Sequence, residues 1–205
     1  IYGMRRRVLK GDEVERLLLD FLSEVSSDVL DQFCSEQIKR EDWDIDGLNV
    51  ALSRQFGLTL DVGPRNQLTG EKLTQLVSHA VKDVYERQKN QLGEFFDQLA
   101  RMLLLQSIDS LWKEHLERID RIKEGINLRA YAQKDPLIEY KKEAFSLFQE
   151  MNALVRSEAI EKLIKVRLVN PEQTREALAQ RPELDQAELN YSGASEAPPG
   201  FPLRQ

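Results

Sequence analysis

The stretch from about Leu92 to Leu168 constrains this chain most: two long helical segments broken once, at Asn127-Leu128-Arg129-Ala130-Tyr131-Ala132-Gln133-Lys134-Asp135-Pro136. In the first arm apolar residues recur at three- and four-residue steps through Leu92, Phe95, Leu99, Met102, Leu105, Ile108, Trp112, Leu116, Ile119, Ile122 and Ile126. That spacing holds one stripe on one side of a helix and excludes a strand, whose period is two. Roughly 35 residues rising ~1.5 Å each give a rod on the order of 50 Å, longer than the usual globular helix and in need of a partner along its length. Phe145, Phe148, Met151, Val155, Ala159 and Leu163 make a matching stripe in the second arm, and the short break favours an antiparallel hairpin. Asp135-Pro136 restarts the helix, because proline in the first turn loses no useful donor and an aspartate before it accepts from free amides.

The break is unusual for a simple turn. It is longer than a minimal helix connection and places Leu128, Arg129, Tyr131, Gln133 and Lys134 far from any shared core. Tyrosine and arginine together offer contact area and polar ends at modest entropy cost, which suits a surface that touches another chain. Spacing alone slightly favours the alternative, in which Tyr131 folds back as a plug over the last turn of the hairpin.

Other segments read as additions to the hairpin, and the whole is all-α. Ile1 to Lys10 reads as the last turns of a helix that starts earlier, and Gly11-Asp12 breaks it. Val14, Leu17, Leu18, Phe21, Leu22, Val25, Val29 and Phe33 then predict an amphipathic helix, with Cys34 as a packing residue. After a loop with Trp43, Asp46 is expected to cap a brief helix through Leu48 and Leu52 to Phe56, ending at Gly57. Leu58 to Gly63-Pro64 reads as irregular. Thr69 opens a helix carrying Leu73, Leu76, Val77, Ala80, Val81, Val84 and Tyr85, with little interruption expected at Gly93. After Asn170 the composition shifts: five of the seven prolines lie there, predicting one short helix at most and then a flexible linker.

The composition excludes several classes. A single cysteine and two histidines supply neither a disulfide nor four zinc ligands, so no metal site is expected. A net charge of -6 argues against a nucleic-acid binder, although Arg5-Arg6-Arg7 could meet an anionic surface locally. No apolar run reaches membrane-spanning length. No catalytic constellation is found: Gly70-Glu71-Lys72-Leu73 places Glu71 where a phosphate-binding loop needs lysine and reads as a helix start. His115 beside Trp112 and Ile119 reads as a packing or surface histidine rather than an acid–base group.

Ser110-Leu111-Trp112-Lys113-Glu114-His115-Leu116, then Gly125 to Pro136, then Glu139-Tyr140-Lys141 and Phe145 to Phe148, closely resemble the C-terminal region of the SecA family, the bacterial preprotein translocase ATPases. The resemblance extends more loosely back through Trp43-Asp44-Ile45 and Gly47-Leu48 to Ile1-Tyr2; the tail after Asn170 carries little of it. It implies that residues 1–10 end a long scaffold helix, 11–90 form the helical wing domain, 91–169 form the two-helix finger and 170–205 form a linker. It further implies a finger tip of Leu128, Arg129, Tyr131, Gln133 and Lys134 that contacts the moving polypeptide at the cytoplasmic mouth of the SecY channel. On this resemblance the partners are that channel, unfolded preprotein and the protein's own motor domains, and the location is the cytoplasm and the cytoplasmic face of the inner membrane. ATP and magnesium would bind in a motor region preceding Ile1, with no cofactor in the chain itself. The family's zinc module is not carried over: the tail holds no cysteine, so either the module lies past residue 205 or this protein lacks it. Two functional classes follow: a force-transmitting segment of a translocase motor, or a passive helical interaction module. Leu103, Leu104 and Leu147 are expected to face outward and favour self-association.

Overall fold

A computed structural model describes residues 1–11, 13–35, 37–63, 68–129 and 135–167, the side chains of 126–129 excepted. Among them the regular structure is helical throughout: α1 (Tyr2–Lys10), α2 (Val14–Cys34), α3 (Ile45–Phe56), α4 (Gly70–Leu92), α5 (Phe96–Arg129) and α6 (Pro136–Lys165), with short 3-10 turns at Arg40–Asp42 and Gly93–Phe95. The expected flexible linker at 170–205 lies outside the described residues.

Local chemistry sets most of the helix ends. Thr69 accepts from the Lys72 amide through Oγ1, and Asp135 accepts from the Leu137 amide, each satisfying a donor that the first helical turn leaves free. At α3 the cap is Asp44 and not Asp46: its Oδ1 accepts from the Gly47 amide at 2.8 Å, so the helix starts at Ile45 and Asp46 stands inside its first turn. Gly47 is required there, since a Cβ would fall 2.3 Å from Asp44 Oδ2 and 2.8 Å from Phe33 Cδ1. The junction at Gly93 is a real break rather than a near-continuous helix. Its φ of 51° and ψ of -124° end α4 in a conformation that side chains with a Cβ avoid, and a 3-10 turn at Gly93–Phe95 separates it from α5.

α1 lies antiparallel along the base of α5. Arg5 pairs with Asp109 through two hydrogen bonds of 2.7 and 3.2 Å, Tyr2 meets Trp112 edge-to-face with centroids 5.5 Å apart, and Arg101 donates to the Val8 and Leu9 carbonyls at the end of α1. α2, α3 and α4 form a compact group on the C-terminal half of α6. Leu18, Phe21, Leu22, Val25, Leu30 and Cys34 of α2 bury with Leu48, Leu52 and Phe56 of α3 and Leu73, Val77, Val81 and Tyr85 of α4. The junction with α6 is also polar: Arg156 pairs with Glu24, and Gln55 exchanges hydrogen bonds with Ser157.

Gln88 of α4 is the strongest of these polar ties. It is buried, its Nε2 donates to the Leu163 and Val166 carbonyls at 2.9 and 2.8 Å, and its Oε1 accepts from Arg167. One amide thereby satisfies carbonyls at the end of α6 that helix geometry leaves without partners. Gln88→Leu keeps the approximate volume but removes the Gln88 donor to the Leu163 carbonyl, while the Val166 carbonyl keeps Arg167, so a loss of about 1–3 kcal/mol is expected in urea unfolding. A change within error would mean that the contact adds nothing to the packing around it.

Candidate functional site

The candidate site is the free end of the hairpin formed by α5 and α6. α5 has 34 residues and α6 has 30, so each arm is on the order of 45–50 Å long. Three cross-helix contacts give the antiparallel register: Ser107 Oγ donates to Glu158, His115 packs edge-on to Phe148 with centroids 6.0 Å apart, and Arg118 donates to both carboxylate oxygens of Glu150 at 3.1 and 2.8 Å. The last bond holds the Glu150 carboxyl below its ordinary range and the guanidinium above its own, chiefly through the hydrogen bonds themselves.

The hairpin is packed unevenly. Toward its base, Leu99, Ala100, Leu103, Leu104, Ile108 and Leu111 of α5 and Met151, Val155, Ala159, Ile160, Leu163 and Ile164 of α6 are buried. The expectation that Leu103 and Leu104 face outward is therefore wrong: they are 8% and 1% exposed, because several helices pack around this end of α5 and bury more than one of its faces. Beyond His115 on α5 and before Met151 on α6 the core ends. None of the described side chains in 116–125 or 135–150 is buried. Phe145 and Phe148, expected on the inner stripe, are 62% and 38% exposed, and Leu116, Leu137, Ile138 and Leu154 are exposed as well. Two helices alone share a single narrow seam, so an apolar residue off that line has nothing to cover it.

At the boundary sits a ring stack across three helices. Trp112 lies between Tyr2 of α1 and His115, and His115 lies between Trp112 and Phe148 of α6. His115 is buried, as a packing histidine would be, and burial together with the neighbouring Arg118 lowers its pKa from the ordinary value.

Of the sequence-predicted tip residues, Leu128 and Arg129 stand on the last turn of α5, and the Asp135 cap with Pro136 in the first turn opens α6. Tyr131, Gln133 and Lys134 lie outside the described residues. Arg129 and Asp135 themselves stand at the ends of the two arms away from α2, α3 and α4. Sequence reasoning missed the exposed apolar line on α6; its signal was the extra pair Leu137-Ile138, which the stripe through Phe145 does not include. Among the described residues no group of three or more histidine, cysteine or acidic side chains could hold a metal, and no helix is long and apolar enough to cross a membrane.

The model of the SecA Wing and Scaffold domain matches residues 1–167. The protein translocase subunit SecA of Bdellovibrio bacteriovorus is 52% identical over 205 residues, covering 99% of this chain and 23% of the relative. That of Syntrophus aciditrophicus is 39% identical over 178 residues, covering 86% and 21%, and that of Syntrophotalea carbinolica 37% over 200 residues, covering 94% and 22%. The chain thus spans less than a quarter of the length of these curated relatives. With its family model matched across every described helix, the chain belongs to the SecA wing and scaffold family.

Proposed function

We propose that this chain is the force-transmitting part of a SecA-type protein translocase subunit. Residues 11–90 are its wing and 91–169 its two-helix finger, whose tip, Leu128, Arg129, Tyr131, Gln133 and Lys134, contacts the polypeptide entering the SecY channel. The observation that carries this reading is the uneven hairpin: a base fixed by buried side chains and by ties to α1 and α4, and an outer half in which none of the described side chains is buried. Packed helices move as units rather than stretching, so displacement at the base reaches the tip. An aromatic tip grips many sequences, as a translocase requires.

The rest of the activity belongs to the larger protein. ATP and magnesium act in its motor region, and the subunit works in the cytoplasm and at the cytoplasmic face of the inner membrane, without nucleic acid. The exposed Leu137, Ile138 and Phe145 support a second reading, in which the hairpin is a passive docking surface.

Site-specific cross-linking from position 131 in the complete subunit, with a secretory polypeptide stalled in the channel, separates the two. Adducts to the stalled chain from position 131, with few from the exposed Glu117, are the expected result. Adducts only to helices of the same subunit would make Tyr131 a structural plug and favour the docking surface.

A further inference from the structure

His115 occupies a singular place. Among the described residues it is the last buried side chain on α5, 6% exposed, and its Nδ1 has no hydrogen-bond partner. The ring is flanked by Trp112 at 5.4 Å and Phe148 at 6.0 Å between centroids, and it lines a small recess with Leu111, Glu114, Arg118, Met151 and Leu154. Neutral imidazole fits that setting. Imidazolium does not, because an added charge would be desolvated among apolar groups and placed beside a guanidinium.

The surrounding charges do little to relieve this. On α5 they are Arg118, which repels a second positive charge, and Glu114, which lines the recess but is exposed. α6 contributes Glu150, both of whose oxygens already accept from Arg118. α1 contributes Tyr2, packed on Trp112, with Arg5 paired to Asp109.

We propose that His115 is an acid-operated release for the outer half of the hairpin: protonation of its ring parts α5 from α6 at this point and loosens residues 116–125 and 135–150, while the base stays packed. The asymmetry comes from the packing itself. Below His115 toward the base, Ile108, Val155, Ala159 and Ile160 are buried, whereas beyond it none of the described side chains in 116–125 or 135–150 is.

The direction follows from linkage. The closed hairpin binds a proton less readily than the open one, in which the imidazole has its ordinary pKa of about 6.5. The open form therefore takes up more protons, and the closed form loses ground as pH falls through and below that value. At pH 5.5 the opening equilibrium gains up to about tenfold over its value at neutral pH.

Amide hydrogen exchange of the 205-residue chain at pH 7.5 and 5.5, corrected for intrinsic rates, tests this. Protection at residues 111–125 and 140–151 is expected to fall by up to about tenfold at the lower pH, with protection at 155–164 retained. His79→Gln, which removes the other histidine, is expected to keep the response, and His115→Phe and His115→Gln to abolish it. A wild-type chain with no such loss, or His115 variants that retain it, would overturn the proposal. If both variants fail to fold, NMR of the wild-type His115 Cε1 proton decides. A titration midpoint below the ordinary imidazole value supports the release, and a midpoint at or above that value overturns it.

Discussion

Ile108→Ala is expected to destabilise the chain by about 2–5 kcal/mol, while Leu137→Ala shifts stability by no more than about 0.5 kcal/mol. Both positions are aliphatic, helical and part of the same hairpin. They differ in burial: Ile108 is 0% exposed in the seam of α5 and α6, and Leu137 is 58% exposed on the outer half of α6. Truncating Ile108 removes apolar surface from the interior and leaves a cavity that the close-packed interior around it fills only in part. Truncating Leu137 removes a side chain that was mostly in water already. Urea unfolding of both variants measures the contrast. Equal losses would mean that the outer half is covered in solution and that the uneven hairpin is not its state there.

Tyr131→Ala in the complete translocase subunit is expected to reduce preprotein transport by about tenfold or more, corresponding to ~1.4 kcal/mol or more of lost contact energy, with stability changed by less than about 1 kcal/mol. The two readouts are informative together. A tyrosine at a contact surface contributes area to a partner and little to its own fold, whereas a tyrosine plugging the end of a hairpin contributes to the fold first. Transport assays with purified subunit, beside thermal unfolding of the same preparation, therefore separate the proposed lever from the docking surface. Parallel losses in transport and stability would favour the latter.

Phe145 and Leu104 show where the pattern along the chain stops being informative. Apolar residues on α5 occur on more than one face: Leu103, Leu104, Ile108 and Leu111 are buried, while Met102, Leu105 and Trp112 are only partly covered. A three- to four-residue period identifies a helix with a stripe, but when two stripes are present it does not say which one meets a partner. The placement of α1 and of the α2–α4 group decides that. Phe145 sits on the same nominal stripe as the buried Met151 and Val155, yet is exposed, the buried side chains described on α6 beginning only at Met151.

The caps show a similar division. Thr69 and Asp135 cap as their positions before a helical run suggest, whereas Asp44 takes the role expected of Asp46 because the Gly47 amide lies within its reach. Either aspartate satisfies the residue preference at that end; the start of the helix selects between them.

Residue type and spacing were thus enough for the all-helical class, the long hairpin, most helix ends and the resemblance that leads to the family, because each depends on contacts within a few turns of the chain. The uneven packing of the hairpin, the Gln88 tie between α4 and α6, and the burial of His115 with an unsatisfied nitrogen came only with the tertiary structure. Each depends on which distant segment arrives at a given face: Gln88 meets carbonyls of residues 163 and 166, and His115 meets Phe148 across the seam. A helical period carries no information about such arrivals, since the same stripe can be met by a neighbour or left in water.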